Sequence, residues 1–288
     1  MIDFVRHHYV TSGGLRLAAD IGGSPDAPAI ILMHGGGQTR HSWFGAMRRM
    51  IAEGYHVINL DARGHGESDW APDGDYSLDA RASDLGYVAS TLRQPVAVVG
   101  ASMGGATSFY AVGSGNVKAR ALVMVDIVLR PAKAGAEKIR KFMRANLDGF
   151  ASIEDAAVAV AAYNPDRPRP SDPSGLMRNL RLKENGRLYW HWDPRIMDEE
   201  PSAEPPAWVD KLLEVSSGVD IPTLVVRGGH SDVVDDEGLA EMLDLVPQTE
   251  VYDVSHAGHM VAGDKNDAFN RGVLEFLGRN FSATIASA

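Results

Sequence analysis

The chain has 288 residues, of which 44% are hydrophobic and 23% are charged, and it carries a formal net charge of −10 and no cysteine. This composition is typical of a folded globular protein, and the length suits one large α/β domain with a modest insertion. The negative charge argues against binding to nucleic acid or to anionic membranes, and the lack of cysteine excludes disulfides, thiolate nucleophiles and cysteine-based metal sites.

The first residues, MIDFVRHHYVTSGG, alternate in polarity and lack the apolar central stretch of a secretion signal. No run of about 18 apolar residues occurs in the sequence, so we expect no membrane span. We therefore predict a cytoplasmic protein that acts on a small molecule. The sequence leaves open whether it is a monomer or a homodimer.

Strand-like and helix-like segments alternate through the first 127 residues. Residues 4–10 and 15–21 flank TSGG and predict a β-hairpin, and APAIILMHGGG predicts a buried strand that ends in glycines. SWFGAMRRMIAEG has helical spacing up to Gly54, YHVINLDARGHGES predicts a strand and a glycine-rich loop, and the next helix begins after Ser77 as its N-cap. The apolar runs PVAVVG and ARALVMVDI predict strands buried on both faces, which is typical of a parallel sheet.

This alternation stops between residues 128 and 218, where basic helix-like stretches are followed by NPDRPRPSDP and RLYWHWDPR. It resumes with IPTLVVRGG, a helix near 237–245, the strand-like EVYDV and a last helix near 265–280. We therefore predict an α/β core made of residues 1–127 and 219–288, interrupted by a helical cap of residues 128–218.

The segment GASMG, centred on Ser102, matches G-x-S-x-G, the sharp turn between a strand and a helix that holds a serine hydroxyl clear of the backbone. So tight a turn has no room for a Cβ atom at the flanking positions, which explains the glycines. Because an apolar strand precedes the turn and a helix-like segment follows it, we predict that Ser102 is a nucleophile.

A serine nucleophile needs a base and a group that orients the base. Asp232 and His259 each follow a late predicted strand, where a parallel sheet presents the carboxyl ends of its strands to ligands. We predict that His259 takes the Ser102 proton through Nε2 and that Asp232 accepts from the other ring nitrogen. Asp126, at the end of VMVDI, is an alternative acid, and His256 is an alternative base.

Acyl transfer also needs donors for the negative charge that develops on the carbonyl oxygen. The N–H of Met103, at the start of a helix, is one candidate, and the glycine-rich HGGG stretch at 34–37 offers the second. We predict Gly36 as that second donor. We expect His34 to be structural, with its imidazole bonded to the loop backbone, and we expect Asp235 and Asp236 to be N-terminal helix caps.

Five stretches together resemble the α/β-hydrolase family, in the branch with a helical cap: HGGG at 34–37, DARGHGES at 61–68, GASMGG at 100–105, Asp232, and AGHM at 257–260. The resemblance implies an eight-stranded, mostly parallel, doubly wound sheet, a Ser-Asp-His triad and no cofactor. In that family the DARGHGES-like loop shapes the pocket floor, so Asp61, Arg63 and His65 are expected to be structural. The histidine pairs lack the H-E-x-x-H form, so we expect no metal.

The aromatic residues of the insertion bear on the substrate. Such side chains could line a pocket for an apolar or aromatic acyl group, or they could pack the cap onto the core. The candidate substrate contacts are Gly37, Trp190, Trp192 and Trp208.

We therefore predict a serine hydrolase that cleaves a small carboxylic ester or lactone through an acyl-enzyme on Ser102. Carbon–carbon bond hydrolases of ring-fission products and cofactor-free perhydrolases share the same motifs, so the sequence leaves both open as alternatives. A small-molecule receptor that keeps the triad is a further alternative.

Overall fold

The computed structural model describes residues 4–163, 172–198, 206–255 and 266–282. Its strands, in chain order, are β1 (Phe4–Val10), β2 (Arg16–Gly22), β3 (Ala29–Met33), β4 (His56–Leu60), β5 (Val96–Ala101), β6 (Ala119–Val125), β7 (Leu180–Leu182), β8 (Leu188–Trp190), β9 (Thr223–Gly228) and β10 (Thr249–Val254). Its α-helices are α1 (Phe44–Ala52), α2 (Leu78–Ser90), α3 (Met103–Gly113), α4 (Lys133–Arg144), α5 (Ile153–Tyr163), α6 (Ala207–Val215), α7 (Asp236–Leu245) and α8 (Asn266–Asn280).

Eight strands form the central sheet, in the order β1-β2-β4-β3-β5-β6-β9-β10. β1 and β2 form the predicted antiparallel hairpin, β2 also pairs antiparallel with β4, and every other pairing in this sheet is parallel. All five residues of β3 and all five of β4 are buried. The structure thus confirms the predicted eight-stranded, mostly parallel sheet with continuous apolar strands.

Helices cover both faces of this sheet. On one face α1, the turn before it and α8 pack Met47, Trp43 and Phe276 against alternate residues of the strands. On the other face α2, α3, α6 and α7 pack residues such as Leu85 and Phe109 against the remaining alternate positions. Full burial of a large apolar side chain is worth about 1.5–3 kcal/mol, so two such layers supply the main stabilisation of the core.

The order of the strands decides where the loops meet. β3 lies between β4 and β5, so the chain leaves β3 toward one side of the sheet and later returns to add β5 on the other side. At such a switch point the loops after neighbouring parallel strands separate and leave a crevice at the carboxyl edge. The loops after β3 and β5 border this crevice, and they carry the HGGG and GASMG segments.

The segment predicted as a helical cap contains more than helices. α4 and α5 are followed by a hairpin in which β7 pairs antiparallel with β8, because two short apolar runs flank a tight turn closed by a hydrogen bond from the Lys183 N–H to the Arg187 carbonyl. α6, which ends this segment, packs on α3 through Val215 and Gly113 and belongs to the helix layer of the core. Within the described ranges, no helix is both long enough and apolar enough to cross a membrane.

Candidate active site

Ser102 occupies the turn between β5 and α3 with φ 46° and ψ −115°. A residue with a side chain in such a conformation costs about 1–3 kcal/mol, which the surrounding structure must supply. The Ser102 N–H donates to the Val125 carbonyl at 2.9 Å, which ties the turn to the neighbouring strand β6. The side chain is half-buried at the carboxyl edge of the sheet, as the sequence motif predicts.

Two glycines of the motif are required by close backbone approach. A Cβ atom built on Gly100 would lie 2.3 Å from the Gly104 carbonyl oxygen, and one built on Gly104 would lie 2.5 Å from the Met33 carbonyl oxygen. Real Cβ atoms do not approach backbone so closely, so neither position accepts another residue without a shift of the chain. The contact of Gly104 with the end of β3 brings the serine turn against the HGGG loop.

The HGGG loop presents a backbone donor beside the nucleophile. A Cβ atom built on Gly35 would lie 3.5 Å from the Ser102 Cβ, and one built on Gly36 would lie 3.9 Å from the Met103 Cβ. Gly35 and Gly37 donate their N–H groups to Gln38 and His65, whereas the Gly36 N–H has no acceptor among the residues that the structure describes.

Met103 carries the second predicted donor. It is the first residue of α3, so its N–H has no acceptor within the helix. Gly36 lies next to Met103, and Met103 directly follows Ser102 at the positive end of the α3 dipole. This arrangement suits the stabilisation of a carbonyl oxygen that gains negative charge.

His34 fixes the HGGG loop through hydrogen bonds to backbone groups. The Ala62 N–H donates to its Nε2 at 3.0 Å, so the proton is on Nδ1, which donates to the Gly35 carbonyl at 2.8 Å. Burial lowers the pKa of His34, which is therefore neutral at physiological pH. These contacts confirm the structural role expected for this residue.

His65 contacts the same loop, and the sequence did not reveal this contact. The Gly37 N–H donates to His65 Nε2 at 3.2 Å, and His65 Nδ1 donates to the Arg63 carbonyl at 3.1 Å. Burial, followed by the neighbouring His34, lowers the pKa of His65 to about 3. The neutral ring is thus the form that accepts from the loop.

A buried network of ion pairs lies directly after the HGGG loop. The Arg40 guanidinium is fully buried and donates to Asp20 at 2.9 Å, to Asp61, and to Glu67 at 2.6 Å. Burial lowers the pKa of Arg40, but the carboxylates, Asp61 first, raise it above its ordinary value. Breaking a buried pair by removing one partner typically costs about 3–5 kcal/mol, so this network anchors the chain directly after HGGG.

The two candidate aspartates have different surroundings. Asp126 follows β6 with φ 50°, is fully buried, and accepts at Oδ1 from the Gly228 N–H (2.9 Å) and at Oδ2 from the Ser231 hydroxyl (2.7 Å). The Asp232 side chain is 38% exposed, and its Oδ2 lies 2.7 Å from Lys138 Nζ.

Other titratable candidates are placed as follows. Asp235 is the N-cap of α7, as predicted, because its side chain accepts from the Gly238 N–H at 2.8 Å, whereas Asp236 is the first residue of that helix and pairs with Arg227 at 2.7 Å. His256 and His259 lie outside the described residues. In the part of the chain that the structure describes, no three acidic or histidine side chains are grouped so that they could hold a metal.

The cap contributes Met143 and Trp192 to the site. A Cβ atom built on Gly36 would lie 3.6 Å from Met143 Sδ, and one built on Gly37 would lie 3.8 Å from Trp192 Nε1. Trp192 is held there by a bridge between its backbone and that of His65 and by hydrogen bonds on both sides of the bridge. Both residues therefore face the loop that carries the predicted oxyanion donor.

The other two tryptophans, Trp190 and Trp208, pack in apolar clusters. Trp190 is buried in the apolar cluster of the cap, with its ring 5.1 Å from Phe150 and 5.7 Å from Phe142. Trp208 lies in α6 and packs against the main core cluster. The structure therefore brings Trp192 to the site but does not bring Trp190 or Trp208 into contact with it.

Tyr163, the last residue of α5, is a further neighbour that the sequence did not single out. Its ring stacks on Phe142 with centroids 4.4 Å apart. Burial, followed by the charges of Asp232 and Asp126, raises its pKa, so the neutral phenol faces the edge where both carboxylates lie.

Comparisons with known proteins agree with this geometry. A family model described as alpha/beta hydrolase fold matches residues 28–265. An esterase of Mycobacterium tuberculosis is 30% identical over 268 residues, which cover 88% of this chain and 84% of the relative. The 2-hydroxy-6-oxo-6-(2'-aminophenyl)hexa-2,4-dienoic acid hydrolase of Metapseudomonas resinovorans is 28% identical over 280 residues, which cover 90% of this chain and 87% of the relative. The crystal structure of E-2-(acetamidomethylene)succinate hydrolase matches with a TM-score of 0.82 at 22% identity, covering 96% of this chain and 99% of that chain, and so shows the shared fold.

Proposed function

Because the chain is a hydrolase that belongs to the alpha/beta hydrolase fold family, we propose that it cleaves small carboxylic esters or lactones through an acyl-enzyme on Ser102. The observation that supports this proposal is the strained Ser102 turn beside the N–H groups of Gly36 and Met103. A nucleophile and two donors at one point of a crevice are what acyl transfer requires. The esterase relative supports the same reaction class.

The proposed reaction begins with attack of Ser102 Oγ on the substrate carbonyl carbon while His259 takes the hydroxyl proton. The oxyanion accepts from the N–H groups of Gly36 and Met103, and loss of one such donor typically costs about 2.7–4 kcal/mol in the transition state. His259 then protonates the leaving alcohol, and the carbon–oxygen bond breaks to give the acyl-enzyme. Water, deprotonated by the same base, releases the acid and restores Ser102.

The base in turn needs a carboxylate that holds its tautomer and stabilises its protonated form. Asp126 and Asp232 both lie at the same edge of the sheet as Ser102.

The substrate that this site suits carries an apolar acyl group. Met143 and Trp192 cover the loop beside the predicted oxyanion position, and both are buried. A thioether and an indole ring favour alkyl or aromatic groups. Trp190 and Trp208 would act indirectly, by supporting the wall of the pocket.

A second candidate function is hydrolysis of a carbon–carbon bond. The relative from Metapseudomonas resinovorans, which matches 90% of this chain, is named as a hydrolase of a 6-oxo dienoic acid, whose reacting carbonyl is a ketone. The same donors would then hold a ketone oxygen, and the bond that breaks joins two carbons. Peracid formation by a perhydrolase would use the same acyl-enzyme with hydrogen peroxide in place of water.

A substrate panel tests the proposal. The wild-type protein and Ser102→Ala are assayed with p-nitrophenyl esters of two to eight acyl carbons, a γ-lactone, a vinylogous 1,5-diketone, and acetate with hydrogen peroxide. We expect ester hydrolysis that Ser102→Ala abolishes. Cleavage of the diketone alone would favour the second candidate, and equal ester hydrolysis by both proteins would exclude the acyl-enzyme.

A further inference from the structure

We infer that Asp126, rather than Asp232, is the carboxylate that orients the base of the proposed hydrolase. The inference depends on the proposed function, because it assigns a positioning residue for the same reaction. Four features of the two aspartates lead to it: their register relative to Ser102, their burial, the donors around them, and the direction in which each carboxylate is held.

The sheet register places Asp126 beside the nucleophile. β5 and β6 pair in parallel with Ala101 opposite Val125, and the Ser102 N–H donates to the Val125 carbonyl at 2.9 Å. Ser102 and Asp126 are therefore the next residues of neighbouring strands, which lie about 4.8 Å apart.

Both residues leave the sheet with a positive φ, which is unusual for a residue with a side chain. Ser102 has φ 46° and Asp126 has φ 50°, and among the described residues only Asn146 shares a positive φ without being glycine. Strain of this kind persists where the surrounding structure enforces it, and it is concentrated at functional sites. The paired strain at adjacent strand ends indicates that both side chains are turned toward the same edge.

The donors around Asp126 fix its carboxylate. The Gly228 N–H holds Oδ1 at 2.9 Å and the Ser231 hydroxyl holds Oδ2 at 2.7 Å. The Ser231 oxygen also accepts from the N–H groups of Val233 and Val234, each at 3.1 Å, so its one hydroxyl proton is directed to Asp126. Each carboxylate oxygen thus has a fixed donor, so the orientation of the Asp126 side chain is set by the loop after β9.

Asp232 is held in another direction. Its carboxylate pairs with Lys138 of α4 at 2.7 Å, and its side chain is 38% exposed. An exposed ion pair is worth only about 0–1 kcal/mol, so the strength of the pair does not decide the assignment. The exposure of Asp232 decides the assignment, because a carboxylate that water screens stabilises a protonated imidazole less than a buried carboxylate does.

Single substitutions that keep side-chain size separate the two residues. In Asp126→Asn we expect kcat on the best ester to fall by about 10³–10⁴-fold with KM unchanged within threefold, because an amide favours the wrong imidazole tautomer. In Asp232→Asn we expect kcat within threefold of wild type. Thermal unfolding and the endpoint of fluorophosphonate labelling report the folded, active fraction, so that kcat is expressed for each competent site.

A second pair of variants keeps the inference testable should Asp126→Asn not fold. Ser231→Ala removes one donor to the carboxylate, and we expect kcat to fall about tenfold with KM unchanged. Ser114→Ala is the matched control, because Ser114 is exposed and its hydroxyl bonds to the Tyr110 carbonyl away from the site. We expect that control to match wild type.

The outcomes separate this inference from the proposed function. Loss of kcat in Asp232→Asn equal to or greater than that in Asp126→Asn would overturn the assignment of Asp126. Equal kcat for Ser231→Ala and Ser114→Ala would also contradict it. Failure of the proposed function has a different signature, because Ser102→Ala would then retain ester hydrolysis whatever the two aspartate variants do.

Discussion

At the scale of single residues, the site concentrates strain and unpartnered donors where the reaction needs them. Ser102 is held at φ 46° between a strand and a helix, and the neighbouring Gly36 N–H has no acceptor among the described residues. Each feature lowers the free energy of unfolding. In the proposed reaction, each would help to stabilise the transition state. This relation between strain and function makes a stability prediction at Ser102 possible.

We predict that Ser102→Gly is more stable than Ser102→Ala by about 1 kcal/mol. Glycine adopts a positive φ freely and removes about 1–3 kcal/mol of strain, while its greater freedom in the unfolded chain costs about 0.5–1 kcal/mol. For a chain of this size the difference corresponds to about 2–4 °C in Tm, measured by calorimetry.

The same pair of substitutions at Ser108, inside α3, is the control for this measurement. There glycine is expected to be less stable than alanine by about 1 kcal/mol, because the backbone is helical. An equal Tm for Ser102→Gly and Ser102→Ala would contradict a strained turn at position 102.

A second prediction at this scale concerns His65 and pH. The unfolded chain binds the histidine proton near pH 6.5 and the folded chain only near pH 3, so between these values the unfolded state holds more protons. The contribution of His65 to the free energy of unfolding is therefore fully present above pH 6.5, and it falls as the pH is lowered toward 3. In the folded protein Nε2 takes up its proton only near pH 3, so the Gly37 N–H keeps its acceptor down to that pH.

Denaturant unfolding of His65→Gln between pH 4 and pH 7 tests this account. Glutamine does not titrate, so we expect a smaller loss of unfolding free energy than in wild type. His8→Gln is the control, because His8 is exposed on the edge strand. If both variants follow the wild-type curve, His65 does not contribute to the acid sensitivity.

At the scale of elements, the segment predicted as a cap contacts the core through a short stretch of backbone beside the HGGG loop. The bridge between His65 and Trp192 is flanked by bonds from the Gly66 N–H to the His191 carbonyl and from the Asp193 N–H to the Gly64 carbonyl, each 2.8 Å long. α4 reaches the same loop from the other side through Met143. The acyl group of a substrate is therefore expected to contact elements of the cap.

This placement predicts a change of specificity in Met143→Ala. Removal of the side chain opens space beside Gly36 and Gly37, so the ratio of kcat/KM for octanoyl to acetyl ester is expected to rise about tenfold. The ratio is measured with p-nitrophenyl esters at fixed enzyme concentration.

Leu182→Ala serves as the matched cap substitution, because Leu182 is 67% exposed on β7. We expect it to leave the acyl preference unchanged. If Met143→Ala and Leu182→Ala have the same ratio of kcat/KM for octanoyl to acetyl ester, Met143 does not line the substrate pocket.

At the scale of the whole molecule, the sheet order brings together parts of the chain that are distant in sequence. β3 and β5 are neighbours, so the HGGG loop meets the serine turn, and β6, on the other side of β5, places Asp126 beside that turn. The sequence predicts these strands and loops well, because buried parallel strands are continuous apolar runs and the turn glycines have steric causes. The order of the loops along the chain then predicts a nucleophile and two donors, and these remain predictions.

The sequence does not predict features that depend on side-chain direction. Asp126 and Asp232 each follow a strand, and only the structure shows that one is buried between two donors while the other pairs with Lys138. Likewise, Trp192 and Trp208 are equivalent aromatic residues in the sequence, but one faces the oxyanion loop and the other packs on the core. Short strands such as β7 and β8 give too few residues for a periodic pattern.

Peptide mapping by mass spectrometry after treatment with a fluorophosphonate tests the central claim, the reactivity of Ser102, most directly. We predict one adduct for each chain, on the peptide that contains Ser102, in wild type and in Ser108→Ala, and none in Ser102→Ala. An adduct on another residue of the wild-type protein, with Ser102 unmodified in an inhibited enzyme, would contradict the account.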